Sequence, residues 1–357
     1  MTTPQDILKA LAVVRDPDLG RNIVELGFVK DVKVCGDTAA FKIELTTPAC
    51  PVRELMKDQA RKAVLAIPGI AKADITMTSQ VRAAASAKGP LLPGVKNILP
   101  VASGKGGVGK STVSANLAVA LRQMGATVGL LDADVYGPSI PTIMGVETPP
   151  KLSGQRMVPP EQHGVKIMSM GFFLQQHDAA IWRGPMLHKM MEQFLGAVDW
   201  GELDDLVVDL PPGTGDIQLS LCQMVSLTGA AVVSTPQDVA LSVAAKAIAM
   251  FQKLNTPVLG IVENMSYYVC RHCGDRDEIF GHGGAREAAE QLKIPFLGEI
   301  PLANEIRNTA DHGMPIVLAE PDGLYAKAFR TVAENLAAQV SIRNMKEETT
   351  AEIKVTF

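Results

Sequence analysis

The sequence predicts an α/β protein in two parts: a larger domain on a mostly parallel sheet, preceded by a small α+β domain. Three observations carry that prediction. Beyond residue 97, short apolar runs alternate with helical stretches, as strands buried on both faces do beneath covering helices. One of these runs leads straight into a glycine-rich loop and then a helix. Before residue 80 the order is instead α-β-β-α-β, a separate unit.

The small domain occupies residues 1–80. Residues 3–14 read as a helix. FVKDVKVCG (28–36) and TAAFKIELT (38–46) are β-rich and are split by the turn residues Gly36 and Asp37. A helix from about Cys50 to Ile67 ends at Pro68-Gly69, and a strand covers 72–78. RAAASAKGPLLPG (82–94), small and rich in Ala, Gly and Pro, lies within a linker placed at 81–96. The large domain takes 97–340, with strands at 98–103, 127–132, 165–170, 205–210, 230–235, 257–262 and 296–300. Residues 341–357 read as a polar, frayed tail.

Composition sets the class. Of the 357 residues, 47% are hydrophobic and 20% charged, an ordinary globular balance. A net charge of −4 gives no reason to expect a nucleic-acid surface. The opening MTTPQDILKALAVV carries Asp6 and no basic n-region, so it reads as a helix and not as an export signal. Residues 217–237 are uncharged, but eight polar or turn residues from Gln218 to Pro236 interrupt them. A buried helix and a strand fit better there than a membrane span. The chain reads as soluble and cytoplasmic, with no membrane partner. Its five cysteines, an odd count, argue against a disulfide framework.

The glycine-rich loop is GKGGVGKS, between a strand ending at Ser103 and the helical SANLAVALRQMG, the setting of a P-loop NTPase domain. Gly104, Gly106, Gly107 and Gly109 let the chain curl so that N–H groups, that of Val108 included, point inward at a phosphate. The helix start at Lys110, Ser111 and Thr112 adds its positive end. Lys110 then neutralises the β- and γ-phosphate oxygens of ATP, and the Ser111 hydroxyl ligates Mg²⁺. A second Mg²⁺ ligand is Asp209, at the end of the strand in DLVVDLPPGTGD; the loop that follows can sense a γ-phosphate and ends at Asp216. LLDADVYGPS closes another strand with Asp132 and Asp134. One of these, with Asp134 the candidate catalytic residue, orients an attacking water; capping of the local turn is the plain alternative. Lys105 is one lysine more than the pattern needs.

MSYYVCRHCGD (265–275) holds Cys270 and Cys273 in C-x-x-C spacing, with His272 between them. Zn²⁺ and [4Fe–4S] sites both take four ligands, and one chain offers only part of such a set. Two chains meeting on a two-fold axis supply four cysteines. A redox dithiol, structural Zn²⁺ and inert surface thiols stay open as alternatives. Cys50, in TPACP at a helix start, is either a thiolate favoured by the helix dipole or a plain buried cysteine. Cys35 and Cys222 read as core.

With its extra lysine, GKGGVGKS resembles the deviant phosphate loop of the MinD/ArsA/nitrogenase-iron-protein group. That resemblance implies that Lys105 crosses a dimer interface to the partner's nucleotide, comparable in role to an arginine finger. A solvated loop lysine is the alternative. In order, GKGGVGKST, LLDADVYGPSIP, VVDLPPGTGD, STPQDVAL, VENMSYYVCRHCG and GEIPL resemble the Mrp/ApbC family of iron–sulfur cluster carrier ATPases over residues 95–335. RDPDLGRNIVELGFV and LTTPACPVRE resemble the small iron–sulfur-assembly domain often fused ahead of them.

The resemblance implies a slow ATPase, homodimeric, that holds a [4Fe–4S] cluster between subunits and delivers it to apo client proteins. It also implies that Asn264 and the backbone near Pro301 contact the adenine. Two rivals stand beside it. A MinD-like positioning regulator should end in a basic amphipathic helix, whereas this tail carries Glu347, Glu348 and Glu352. A nitrogenase-iron-protein-like reductase requires two widely separated cysteine ligands per subunit, and Cys270 and Cys273 depart from that.

Overall fold

A capping box opens the chain. The Thr3 hydroxyl accepts the Asp6 N–H at 3.3 Å, the Asp6 carboxylate accepts the Thr3 N–H at 2.8 Å, and Pro4 takes the first turn of α1 (Pro4–Leu11). In this computed structural model, which describes residues 2–83, 91–173 and 184–354, the chain forms two compact units, Met1–Arg82 and Ala83–Phe357.

In the first unit, β1 (Val29–Cys35) and β2 (Thr38–Leu45) form a hairpin around Gly36, whose φ of 62° is the left-handed turn geometry that suits glycine. After α2 (Arg53–Leu65), β3 (Lys72–Ser79) pairs parallel to β2, giving the order β1-β2-β3. Alternate residues of β2, Ala39, Phe41, Ile43 and Leu45, point into the core beside Ile7, Leu11 and Met56.

The second unit is built on nine strands. Seven are parallel: β4 (Val95–Ser103), β5 (Val128–Asp132), β9 (Val165–Ser169), β10 (Leu203–Asp209), β11 (Ala230–Ser234), β12 (Val258–Val269) and β14 (Phe296–Leu302). Two short antiparallel strands, β8 (Glu161–Gln162) and β13 (Arg276–Asp277), border them, and β6 (Lys151–Ser153) pairs with β7 (Arg156–Val158) separately. The order is β13-β12-β11-β4-β10-β5-β9-β8, with β14 on β12. Strands β5 and β11 leave β4 on opposite sides, so the sheet reverses direction there, and ligands of such sheets bind at the strand C-terminal ends by that point.

Nine helices of the described residues connect or follow the strands: α3 (Lys110–Gln123), α4 (Ile140–Met144), α5 (Gly184–Gly196), α6 (Asp216–Met224), α7 (Asp238–Lys253), α8 (Gly284–Leu292), α9 (Asn304–Asp311), α10 (Ile316–Ala319) and α11 (Leu324–Lys354). Every residue of α3 from Val113 to Leu121 is buried, so the helix that follows the glycine loop sits inside the domain. No helix among the described residues is long and apolar enough to cross a membrane.

Three features differ from the sequence reading. Leu92 is already buried and β4 starts at Val95, so the end of the segment read as linker packs with the second unit. β12 continues seven residues past Val262, to Val269. The tail read as frayed is α11 through Lys354, anchored where buried Asn344 donates to Asn97 Oδ1 on β4 at 2.9 Å. A polar residue with a buried partner does not register in a polarity profile.

Candidate nucleotide site and cysteine pair

The glycine loop lies at the C-terminal end of β4, and its glycines answer to particular constraints. Gly107 and Gly109 both have φ of 80°. Gly104 lies flat on the backbone of Val243 and Ala244 in α7, where any Cβ would collide. The loop is pinned from two sides: the Ser103 hydroxyl donates to the Lys105 carbonyl at 3.1 Å, and Asn264 Nδ2 on β12 donates to the Val108 carbonyl at 2.8 Å.

Fully buried Asp209 organises the centre. Its Oδ2 accepts from Lys110 Nζ at 2.7 Å and Ser111 Oγ at 2.6 Å, and its Oδ1 accepts from Ser114 Oγ at 2.6 Å. Asp134 Oδ2 stands 3.7 Å from Lys110 Nζ, so one buried ammonium faces two carboxylates. Desolvation lifts the Asp134 carboxyl, and the lysine partly opposes it. Asp132 has a different task. Its oxygens accept from the Asp134 N–H at 3.1 Å, the Ile140 N–H at 3.2 Å and Ser169 Oγ at 2.9 Å. Burial, with the charge of Asp209 nearby, pushes it up to about 7. Asp132 shapes the turn that presents Asp134.

Lys105 is exposed and makes no ion pair among the described residues. The PPGTGD loop is tied back to the sheet: the Gly213 N–H donates to the Ser103 carbonyl at 2.8 Å, and buried Gln218 Nε2 donates to the Pro211 and Gly213 carbonyls at 2.7 and 3.2 Å. Asp216 is exposed in the first turn of α6. The Thr112 carbonyl, in the first turn of α3, accepts Asn116 Nδ2 at 2.9 Å. Ser114, Ser169 and Gln218 escaped the sequence reading. Only the spacing of Ser114, one helical turn beyond Lys110, could have signalled its approach to Asp209.

The cysteine pair lies just past the end of β12. The Cys270 N–H donates to the Asp275 carbonyl at 2.8 Å and the Gly274 N–H to the Cys270 carbonyl at 2.9 Å, closing a tight turn. The backbone N–H groups of Cys273 and His272 hold the Cys270 thiol below its ordinary value. At Cys273 the Asp275 N–H pulls downward, but Cys270 and the Asp275 carboxylate, 3.3 Å from its sulfur, win and raise it. His272 is exposed, and it does not converge with the two sulfurs into a set of three ligand atoms. The one such set among the described residues is Glu263, His282 and Glu299. There Glu263 is occupied by Ser266 Oγ and by the Gly283 and Ala285 N–H groups, which it caps at the start of α8.

Among the other cysteines, one expectation is corrected and one open choice is narrowed. Cys35, read as core, is exposed at the end of β1, because the outer face of that strand is the one it joins. Cys50 fits the buried alternative: α2 begins only at Arg53, and burial pushes the thiol up to about 11. Cys222 packs partly buried against the main core, near Thr256 Oγ1 at 3.6 Å.

Comparison with known proteins agrees with this geometry. The family described as "NUBPL iron-transfer P-loop NTPase" matches residues 94–337, and that described as "Iron-sulfur cluster assembly protein" matches residues 4–77. An iron-sulfur cluster carrier protein of Deinococcus radiodurans is 50% identical, over 96% of this chain and 97% of its own. A nucleotide-binding protein of Archaeoglobus fulgidus, solved with ADP, is 42% identical with a TM-score of 0.58, covering 66% of this chain and 92% of that one. The cell division ATPase MinD of Pyrococcus furiosus is 25% identical with a TM-score of 0.51, covering 67% and 97%. The chain thus belongs to the iron-transfer P-loop NTPase family, with an iron–sulfur cluster assembly domain ahead of it.

Proposed function

We propose that this chain carries an iron–sulfur cluster as cargo to apoproteins in the cytoplasm, and that binding and hydrolysis of Mg·ATP change its hold on that cargo. The observation that carries the reading is the turn at Cys270 and Cys273. It offers two accessible thiols, one held below its usual value, and no third ligand among the described residues. Two copies on a two-fold axis bring four thiolates together, the number a [4Fe–4S] cluster takes. The same homodimer gives exposed Lys105 a destination: the nucleotide of the other copy.

At the nucleotide site, Ser111 Oγ and Asp209 offer the hard oxygens that suit Mg²⁺. The ion supplies charge neutralisation at the phosphates when bound. The loop amides of Gly104–Thr112 cradle phosphate, Lys110 holds charge on the β- and γ-oxygens, and Asp134 orients water beside it. Asn264 steadies the loop through Val108, and its position beside Gly109 supports a contact with bound nucleotide.

Anaerobic reconstitution with iron and sulfide, followed by absorption and Mössbauer spectra, tests the reading. The wild type should take up a cluster, and the double change Cys270→Ala, Cys273→Ala should yield a colourless protein that still binds ATP. A wild-type product that is iron-free and takes only Zn²⁺ would contradict it.

A further inference from the structure

One segment touches both sites. Asn264 donates to the Val108 carbonyl of the glycine loop, and the methyl of Met265 borders Gly109. Six residues beyond Asn264, the same chain reaches Cys270. Between them β12 is irregular: Asn264 pairs with Ile300 and Tyr268 with Leu302, so four steps along β12 match two along β14. Met265, at φ 57°, adopts the left-handed geometry in that bulge, a conformation an L residue holds only under constraint from its surroundings.

The far end of the segment is also fixed. Arg271, between the two cysteines, donates from Nη2 to Glu305 Oε1 on α9 at 2.7 Å. Glu305 lies three residues past the end of β14, the neighbour of β12. Its second oxygen, Oε2, is buried with no hydrogen-bond partner among the described residues, so Arg271 is the group that compensates this carboxylate. Tyr268 and Tyr325 stand around the pair. Nothing in nucleotide binding or in thiol ligation requires this contact. Its geometry does something else, because a segment held at both ends converts displacement of one end into strain at the other.

We propose that residues 264–271 form a lever between the nucleotide loop and the cysteine turn, with Asn264 as its sensor, the Met265 bulge as its joint and the Arg271–Glu305 pair as its anchor. Arg271 and Glu305 are positioning residues. They touch neither phosphate nor cargo, but hold the turn so that a shift of the Val108 carbonyl reaches Cys270 instead of dissipating in a loose loop. The inference rests on the reading of both sites given above, and its test is arranged to stand without the cargo.

Hydrogen exchange of the full iron-free chain provides that test, read at the amides of 269–275 with and without Mg²⁺ and a non-hydrolysable ATP analogue. In the wild type, nucleotide should change exchange in this turn about threefold or more. Glu305→Gln should speed exchange there by roughly threefold, the scale set by a partly exposed ion pair, and should reduce the nucleotide response to within error. Analogue affinity, measured alongside, should stay within about twofold, because Glu305 lies outside the phosphate site. The swap Arg271→Glu with Glu305→Arg should restore the response, which a variant that merely misfolds would not do. An unchanged nucleotide response in Glu305→Gln would overturn the proposal. So would a wild type that binds the analogue with no change at 269–275. Failure of cluster reconstitution would count against the cargo and leave this result standing.

Discussion

The nucleotide site and the cysteine turn are built on opposite plans. Around Asp209, three donors from α3 satisfy one fully buried carboxylate, and a second, Asp134, lies within 3.7 Å of the same lysine. Every group there is held by a neighbour of its own chain. The cysteine turn has two thiols at the surface and backbone hydrogen bonds that shape it, but among the described residues no set of three ligand atoms closes around them. Preorganised charge in a dry site suits chemistry on a phosphate. An open half-site suits something that must be shared and released. The contrast is between charges held in place by neighbours of the same chain and thiols left open at the surface.

Substitutions can break that contrast, and the largest effect belongs to the buried site. Lys110→Ala removes the ammonium from between Asp209 and Asp134 and should abolish ATP binding by calorimetry. It should also cost about 3 kcal/mol of stability, because a buried carboxylate loses its charged partner. Retained binding with an unchanged melting temperature would show that the site is not held together by that charge. Next comes exposed Lys105. Lys105→Ala should leave binding and melting unaltered yet slow turnover by about a thousandfold, the scale of a cation supplied in trans. Hydrolysis at the wild-type rate would remove the need for a second copy at this site.

The smallest effect is one of pH. Burial raises Asp132 from an ordinary 3.8 to about 7, so the folded chain keeps a proton there that the unfolded chain loses above about 4. The stability this contributes is full below that range and is lost as pH rises through 7. Asp132→Asn cannot ionise and should lose less of its melting temperature between pH 5 and 8 than the wild type does. Equal losses would mean that this carboxyl is already charged in the folded state.

Much of this was legible in the residues, and the reasons are local. Apolar runs marked all seven parallel strands, because strands buried on both faces must be apolar along their whole length. The spacing of Gly104, Gly109, Lys110 and Ser111 marked the loop, because phosphate binding needs those types at fixed offsets. What stayed hidden depends on contacts between distant segments. Ser169 meets Asp132 across two strands, Asn344 finds Asn97 from the far end of the chain, and Arg271 meets Glu305 through paired strands. Cys50 stayed ambiguous for a subtler reason. The helix begins three residues later than TPACP suggests, and that offset replaces a helix-end environment with a buried one.

Sedimentation of the apo and the anaerobically reconstituted protein at several concentrations tests the central claim most directly. If each chain supplies half of the cluster site, iron binding and self-association are one linked equilibrium, since metal held by the dimer alone must stabilise the dimer. The reconstituted protein should remain dimeric at dilutions where the apo protein dissociates, and Cys270→Ala with Cys273→Ala should lose the iron and that added association together. An iron-loaded monomer carrying a complete cluster would contradict the account, for the ligands would then close within a single chain.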